Sequence, residues 1–374
     1  MVYLDNSATT AVCQAAIERM TAVMTDCYGN PSSLHTLGIA ADKEVSRARL
    51  EVASLIGAKP EQITFVSGGS EANNLAILGG AAAKHRQPHV AVTTTIEHPS
   101  VAACFNRLEE QGWQVIRVSP DSDGTITPEA VAAACTPDTT LVSVMTVNNE
   151  TGARMDIPSM VSQVRKIAPR AVFHTDAVQA AGKISVRAEK WGVDLLSVSG
   201  HKIHGPKGIG ALYVRKGVRL IPQLLGGGQE KGLRSGTEPT PAIAGFGAAA
   251  AEASKSNYEA HFELLKACLI EELEGLADVR FHLPKDGVPY IVNLSLMGLR
   301  SETVLHFLAQ RRIFISGGSA CSKGKRSPVL TAMGLPAAEI DGSLRISFGH
   351  TNTLDDVRTL CQALREAAQM LQRR

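Results

Sequence analysis

The stretch Ser197-Val198-Ser199-Gly200-His201-Lys202-Ile203-His204-Gly205-Pro206 follows an apolar run, Val193 to Leu196, that reads as a buried strand. A lysine at the mouth of such a strand is partly desolvated, which lowers its pKa and frees its amine to form a Schiff base. Ser199 and His201, beside Lys202, can hold an anion. A Schiff-base lysine next to an anion site is the chemistry of pyridoxal phosphate (PLP). A single loop lysine is more often an ordinary solvated one, so the rest of the chain has to carry the assignment.

PLP asks a protein for a lysine, a carboxylate at the pyridine nitrogen, donors for the phosphate and a group to hold the ring. Asp176 ends the strand before that of Lys202, where a carboxylate can keep the pyridine nitrogen protonated. An ordinary loop or N-cap aspartate is the alternative, but Gln179, one turn later, can donate to the ring's 3′ oxygen. Ser67-Gly68-Gly69-Ser70 opens a helix, and a glycine turn at a helix N-terminus lets backbone N–H groups approach a phosphate. A plain tight turn has the same sequence. His98, before Pro99, is the residue best suited to stack on the ring, because Tyr and Trp are scarce.

Two later residues point to a substrate. Cys321 lies among Gly and Ser in what reads as an exposed loop, beside Lys323 and Lys325. Neighbouring cations stabilise a thiolate and make it a nucleophile, whereas Cys104, Cys135, Cys268 and Cys361 fall at helical positions that suit inert packing. A tolerated surface thiol is the other reading of Cys321. Arg345 sits in an otherwise apolar strand. A partly buried guanidinium needs a partner, and a substrate carboxylate or a structural ion pair would serve.

Elements that could position these residues follow from periodicity. A short extended start leads to a helix over 14–24, and Leu37, Ala41, Val45, Ala48, Val52 and Leu55 form one face of a long helix closed by Gly57. Strands are then expected at 63–66, 90–94, 115–118, 141–147, 171–175, before Lys202, and at 210–214, with helices between them. Thr127-Pro128-Glu129 reads as an N-cap with Pro at N1. Short apolar strands alternating with helices predict an open, mostly parallel, seven-stranded α/β sheet wrapped on both faces. Ligands bind outside the carboxyl ends of such strands, where every polar cluster above falls. An Ala-rich helix over 242–254 and an amphipathic stretch over 258–276 precede a tail of different character. That tail carries strands at 291–296, 313–315 and 344–348 and a last helix over 354–371. The expected division is a large domain, 15–255, and a smaller α+β domain, 1–14 with 256–374.

Composition excludes several function classes. The 374 residues carry 38 basic and 36 acidic side chains, a net charge of +2, which gives no electrostatic grip on nucleic acid or an anionic membrane. The seven cysteines, at 13, 27, 104, 135, 268, 321 and 361, show no CxxC spacing, so neither a disulfide framework nor a zinc site is expected. The N-terminus lacks a basic and an apolar region of the secretory kind, and the apolar run from Ala242 to Ala251 is about half a bilayer span. The expected location is the cytoplasm.

Ten stretches together resemble the cysteine desulfurases of the nitrogen-fixation and iron–sulfur-assembly type. They are 3–10, 29–35, 67–74, Glu97-His98-Pro99, 147–152, 174–179, 199–206, 234–238, 318–321 and 344–349. These are PLP enzymes of the aspartate aminotransferase fold (fold type I), and the match runs in order through nearly the whole chain. The resemblance implies that Lys202 carries the cofactor and later moves the substrate's Cα proton. Asp176 would pair with the pyridine nitrogen. Gln179 and Asn149 would contact the 3′ oxygen, Asn149 also approaching the substrate carboxylate. His98 would stack on the ring and act in proton transfer. Gly69, Ser70, Ser199 and His201 would bind the phosphate, and Thr237 would reach the phosphate of a neighbouring subunit, so a homodimer is implied. Arg345 would hold the carboxylate of L-cysteine, and Cys321 would attack its sulfur. The implied products are alanine and a persulfide on Cys321, passed to an acceptor protein for iron–sulfur clusters, thio-cofactors or tRNA thiolation.

Compared with that family, 321–328 reads as somewhat shorter and more basic, and little follows the last helix; both bear on the acceptor. Other readings on the same scaffold are a selenocysteine lyase, an aminotransferase-like activity, or a partner protein that holds PLP without turnover. Lys183 and Lys207 are rival Schiff-base lysines, but neither directly follows the strand.

Overall fold

The computed structural model describes residues 1–371 except 85, 87, 256, 277 and 318–325. In chain order it holds β1 (Val2–Tyr3), α1 (Gln14–Asp26), α2 (Thr36–Leu55), β2 (Ile63–Val66), α3 (Gly69–Ala83), β3 (Val90–Thr94), α4 (Pro99–Glu110), β4 (Gln114–Val118), α5 (Pro128–Ala134) and β5 (Thr139–Ser143). There follow α6 (Ile157–Ile167), β6 (Val172–Asp176), α7 (Ala188–Trp191), β7 (Leu195–Ser199), β8 (Gly210–Val214) and α8 (Thr240–Lys255). The remainder is α9 (Glu259–Leu273), β9 (Val279–Phe281), β10 (Ile291–Leu296), α10 (Ser301–Gln310), β11 (Ile313–Phe314), β12 (Ser316–Gly317), α11 (Pro328–Ala332), α12 (Ala337–Asp341), β13 (Ser343–Ser347) and α13 (Leu354–Met370).

The large sheet has seven strands in the order β2-β8-β7-β6-β5-β3-β4. β3 to β7 pair in parallel, while β8 is antiparallel to both β7 and β2. β2 therefore points the same way as β7, and only β8 opposes the rest. The mostly parallel α/β sheet is as the sequence leads one to expect. Six of the seven strands are buried along their whole length or all but one residue of it, because helices cover both faces. Leu195, Leu141, Val172 and Leu212 join one core with Leu75, Phe105 and Leu108 of α3 and α4. Their neighbours Leu196, Val142, Phe173 and Ala211 join the other, with Val45 and Val52 of α2, Met160 of α6 and Phe246 of α8.

Local signals set several boundaries. Thr127 accepts from Ala130 N at 3.2 Å, capping α5 with Pro128 behind it. Gly57, at φ +62°, turns the chain just past α2, a conformation that costs a side chain energy. Of the expected α2 face, Ala41, Val45, Ala48, Val52 and Leu55 are buried, but Leu37 is exposed. α6 begins before the expected Ser159, because Asp156 caps it, accepting from Ser159 N at 3.1 Å.

A second sheet, β12-β13-β10-β9, is antiparallel. The expected single strand at 313–315 is two: β11 pairs in parallel with β1, and β12 pairs with β13. β9 and the short helix α12 carry no strong sequence signal, whereas α11 starts on one, Ser327 capping it ahead of Pro328. α8 packs on α1 and α2, and α9 packs on α13. Past β1, Asp5 bridges to Ser347, and the chain then runs toward the turn after β7. Among the described residues no helix is long and apolar enough to cross a membrane.

Candidate active site

The strand directions place the turns after β2, β3, β5, β6 and β7 at one edge of the sheet. These turns carry Gly68-Gly69, His98, Asn149 and Lys202, and Asp176 is the last residue of β6 beside them. Lys202 ends a single 3₁₀ turn, Gly200–Lys202, directly after β7. Gly200 is required there, since a Cβ would lie 2.9 Å from Ile209 Cγ2 and 3.1 Å from Pro206 O. Lys202 Nζ donates to the carbonyl oxygens of Ser7 and Ala8, the latter at 2.8 Å. Gln179 Nε2 donates to the same Ser7 oxygen at 2.9 Å. Thr10 N donates to His201 O at 3.0 Å, and His201 Nδ1 lies 3.1 Å from Thr9 Oγ1. The N-terminal segment thus forms a wall of the site. Burial first, then the cations of Lys202, Lys207 and Lys183, lower His201 to about 4.

Asp176 is buried at the end of β6. Its Oδ1 accepts from Val178 N at 2.9 Å and its Oδ2 from Asn73 Nδ2 at 2.8 Å. A carboxylate accepts, so the amide nitrogen of Asn73 has to face it. The same nitrogen donates to Ser100 Oγ at 2.9 Å, and Ser100 Oγ lies 2.8 Å from His98 Nδ1. Ser100 N donates to that Nδ1 at 3.2 Å. An N–H can only donate, so Nδ1 is the acceptor and neutral His98 carries its proton on Nε2. Burial, against the opposing pull of Asp176 and with help from Lys202, holds His98 below its ordinary pKa. Glu97, next in the chain, accepts from Met145 N and Thr94 Oγ1, each at 2.9 Å, through Oε1. Its Oε2 is buried without a partner among the described residues, and burial foremost raises the carboxyl to about 8, so it is largely protonated at neutral pH.

The first bond of the α3 ladder runs from Ala72 N to Gly68 O at 3.0 Å, leaving the N–H groups of Gly69, Ser70 and Glu71 at the helix start. A Cβ on Gly69 would lie 2.9 Å from Val178 Cγ2 and 3.6 Å from Ser199 Cβ, so the glycine keeps a cradle open between α3 and β7. That cradle, the paired Asp176 and the amine of Lys202 supply the donors, carboxylate and nucleophile that PLP requires. The residues fit the group. Ser70 is exposed. Thr237 is also exposed, on a loop whose Arg234 Nε donates to Glu71 Oε1 at 3.0 Å.

Arg345 projects from β13 with a buried side chain. One terminal nitrogen donates to Asn149 O at 3.0 Å, and the other to Asp5 Oδ1 at 2.8 Å. Nε is buried and has no partner among the described residues. Of the two partners left open by the sequence, the structural ion pair is therefore present. Nearby, Glu150 accepts from Ser327 Oγ at 2.5 Å, and burial raises it to about 7 against the pull of Ser327 and Arg345. Cys321, Lys323 and Lys325 lie outside the described residues; before them, Ser316 is in register with Arg345. Burial foremost pushes Cys104 and Cys135 up to about 11 and Cys361 to about 12, as inert thiols should be.

Sequence reasoning missed the parts played by Asn73, Ser100, Asp5 and Glu150. Asn73 had a usable signal: a short polar amide in an Ala/Leu-rich helix opposes helix propensity and needs a reason. The rival Lys207 is exposed. Lys183 is not so simple. It donates to Gln179 Oε1 at 3.3 Å, lies 5.0 Å above the Tyr290 ring, and is lowered to about 7 by burial first and then by Lys202 and Arg345.

The chain belongs to the aminotransferase class-V family, whose model matches residues 2–360. Within it, the chain is 39% identical to a cysteine desulfurase of Nostoc sp., over 99% of this chain and 94% of that protein. Its fold matches a solved NifS-like protein with a TM-score of 0.94 at 35% identity, covering 99% of this chain and all of the other. A structure described as SspA in complex with cysteine matches with a TM-score of 0.83 at 33% identity, covering 94% of this chain and 100% of that one.

Proposed function

We propose that this chain is a PLP-dependent cysteine desulfurase that converts L-cysteine to L-alanine and leaves the sulfur as a persulfide on Cys321. The observation that carries the reading is the convergence of Lys202, Asp176, His98 and the Gly69 cradle at one sheet edge, in a chain similar to cysteine desulfurases over nearly its full length.

When bound, PLP supplies an electron sink for negative charge at the substrate Cα. Asp176 would hold the proton on the pyridine nitrogen, itself held by Asn73 and Val178. The N–H groups of Gly69 and Ser70, with Ser199 and His201, would bind the phosphate, joined by Thr237 of a second copy in a homodimer. Gln179 and Asn149 would contact the 3′ oxygen, and His98 would lie over the ring. Lys202 would hold the cofactor and then take the Cα proton on Nζ. Arg345 and Asn149 would hold the substrate carboxylate. Cys321 Sγ, as thiolate, would bond to the substrate sulfur while the Cβ–S bond breaks. The electron pair of that bond stays with Cβ, which takes up a proton, and His98 Nε2–H is a donor suited to the proton transfers. The terminal sulfur then goes to an acceptor protein of iron–sulfur or thiolation chemistry.

The same reading places the protein in the cytoplasm. It divides the chain into 15–255 and 1–14 with 256–374, the second part carrying Cys321.

The test is incubation of the PLP-loaded protein with L-cysteine and a thiol reductant. Equal amounts of alanine and sulfide are expected. C321A should keep the PLP absorbance band and release no sulfide; full release by that variant would refute the role of Cys321.

A further inference from the structure

We propose that Asp5 is an internal competitor for the substrate carboxylate: it holds one nitrogen of the Arg345 edge whose other nitrogen, Nε, is left open, and is displaced when substrate binds. The inference rests on the reading of Arg345 as the carboxylate site.

A guanidinium takes a carboxylate bidentately along an edge made by two nitrogens. On Arg345, one terminal nitrogen is committed to Asn149 O at 3.0 Å. The other donates to Asp5 Oδ1 at 2.8 Å, while the adjoining Nε is buried and has no partner among the described residues. The edge formed by Nε and the Asp5-bound nitrogen is thus half satisfied. An incoming carboxylate on this edge would pair Nε and replace Asp5 at its neighbour.

The two sides of the ion pair differ in freedom. The Arg345 side chain is 6% exposed and tied to Asn149, whereas that of Asp5 is 17% exposed. The Asp5 backbone is fixed, its carbonyl accepting from Ala8 N at 3.0 Å and from Tyr3 Oη at 3.1 Å, so only its carboxylate has to rotate out. Glu150, another acid near Arg345, is engaged by Ser327 Oγ, whereas Asp5 is the acid in direct contact with the guanidinium. An empty site with no Asp5 would leave a buried guanidinium uncompensated. Asp5 removes that cost, and each carboxylated ligand must work against it.

The test uses the PLP-loaded full chain and follows the cofactor absorbance on titration with L-alanine and with ethylamine, which has an amine but no carboxylate. Asp5→Asn should bind L-alanine about fivefold or more tightly, since a competing charge is gone, with ethylamine unchanged within about twofold. Asp5→Glu, which keeps the charge, should behave as wild type. Weaker or unchanged L-alanine binding in D5N, or an equal effect on both ligands, would overturn the proposal. Should D5N not fold, ¹³C-carboxyl NMR of the aspartate-labelled wild type serves: the Asp5 resonance should move with L-alanine and not with ethylamine, and no movement overturns the proposal. A wild type that shows no preference for L-alanine over ethylamine would instead remove the reading of Arg345, and Asp5 with it.

Discussion

Asn73 joins Asp176 to the His98 side of the site, donating 2.8 Å to the Asp176 carboxylate and 2.9 Å to Ser100 Oγ from one amide nitrogen. Asn73 lies on α3, Asp176 at the end of β6 and Ser100 in the first turn of α4, so one side chain links three separate elements. Asn73→Ala leaves a buried carboxylate oxygen without its donor. Unfolding free energy should fall by about 1–3 kcal/mol, the cost of an unsatisfied buried polar group. PLP should also bind more weakly, and the ring absorbance should change. Urea denaturation and a fluorescence titration with PLP measure the two effects separately.

Two lysines compete for the cofactor. Burial lowers Lys183 to about 7, so its amine is chemically competent. Its contacts, however, are Gln179 Oε1 and the Tyr290 ring, whereas Lys202 directly follows β7. Borohydride reduction and peptide mapping should find the label on Lys202. Lys202→Ala should lose the bound PLP band and Lys183→Met should keep it. A label on Lys183 or Lys207 would remove Lys202 from its role.

Glu97 predicts a pH dependence of stability. Its carboxyl is raised from 4.5 to about 8, so between those values the folded chain keeps a proton that the unfolded chain has lost. The stability from this group is full below about pH 4.5 and falls as pH rises toward 8. Glu97→Gln, a neutral mimic of the protonated acid, should flatten the decline and be the more stable form near pH 8. Urea midpoints across pH 5–8 would show it, and parallel curves for the two proteins would contradict it.

Arg345→Lys keeps the charge but loses the fork. One ammonium cannot reproduce the paired contacts to Asn149 O and Asp5, nor offer a carboxylate two parallel bonds. KM for L-cysteine should rise about tenfold or more, with a smaller change in kcat, in steady-state assays. An unchanged KM would place carboxylate recognition elsewhere.

Much of this was legible in the chain. The turn residues after β2, β3, β6 and β7 could be read from composition and spacing, because glycines, a cap and a buried-strand lysine are local features. Strand direction was not legible: β8 is as apolar as its neighbours, and an apolar run does not record which way it lies. Nor was the break between β11 and β12 visible, since it exists only because the two halves pair with β1 and β13. Arg345 was recognisable as a residue in need of a partner, but Asp5, 340 positions away, was not recognisable as that partner.

The sequence alone determined which side chains could do chemistry and that they would follow strand ends, because residue type, turn propensity and periodicity are properties of short stretches. Only the tertiary structure decided the connections. Ser7 lends its carbonyl to both Lys202 and Gln179, Asn73 ties Asp176 to His98 through Ser100, and Asp5 occupies Arg345. Hydrogen bonds and ion pairs act over about 3 Å, and a distance that short between remote residues is set by how the sheet, its helices and the N-terminal segment pack together.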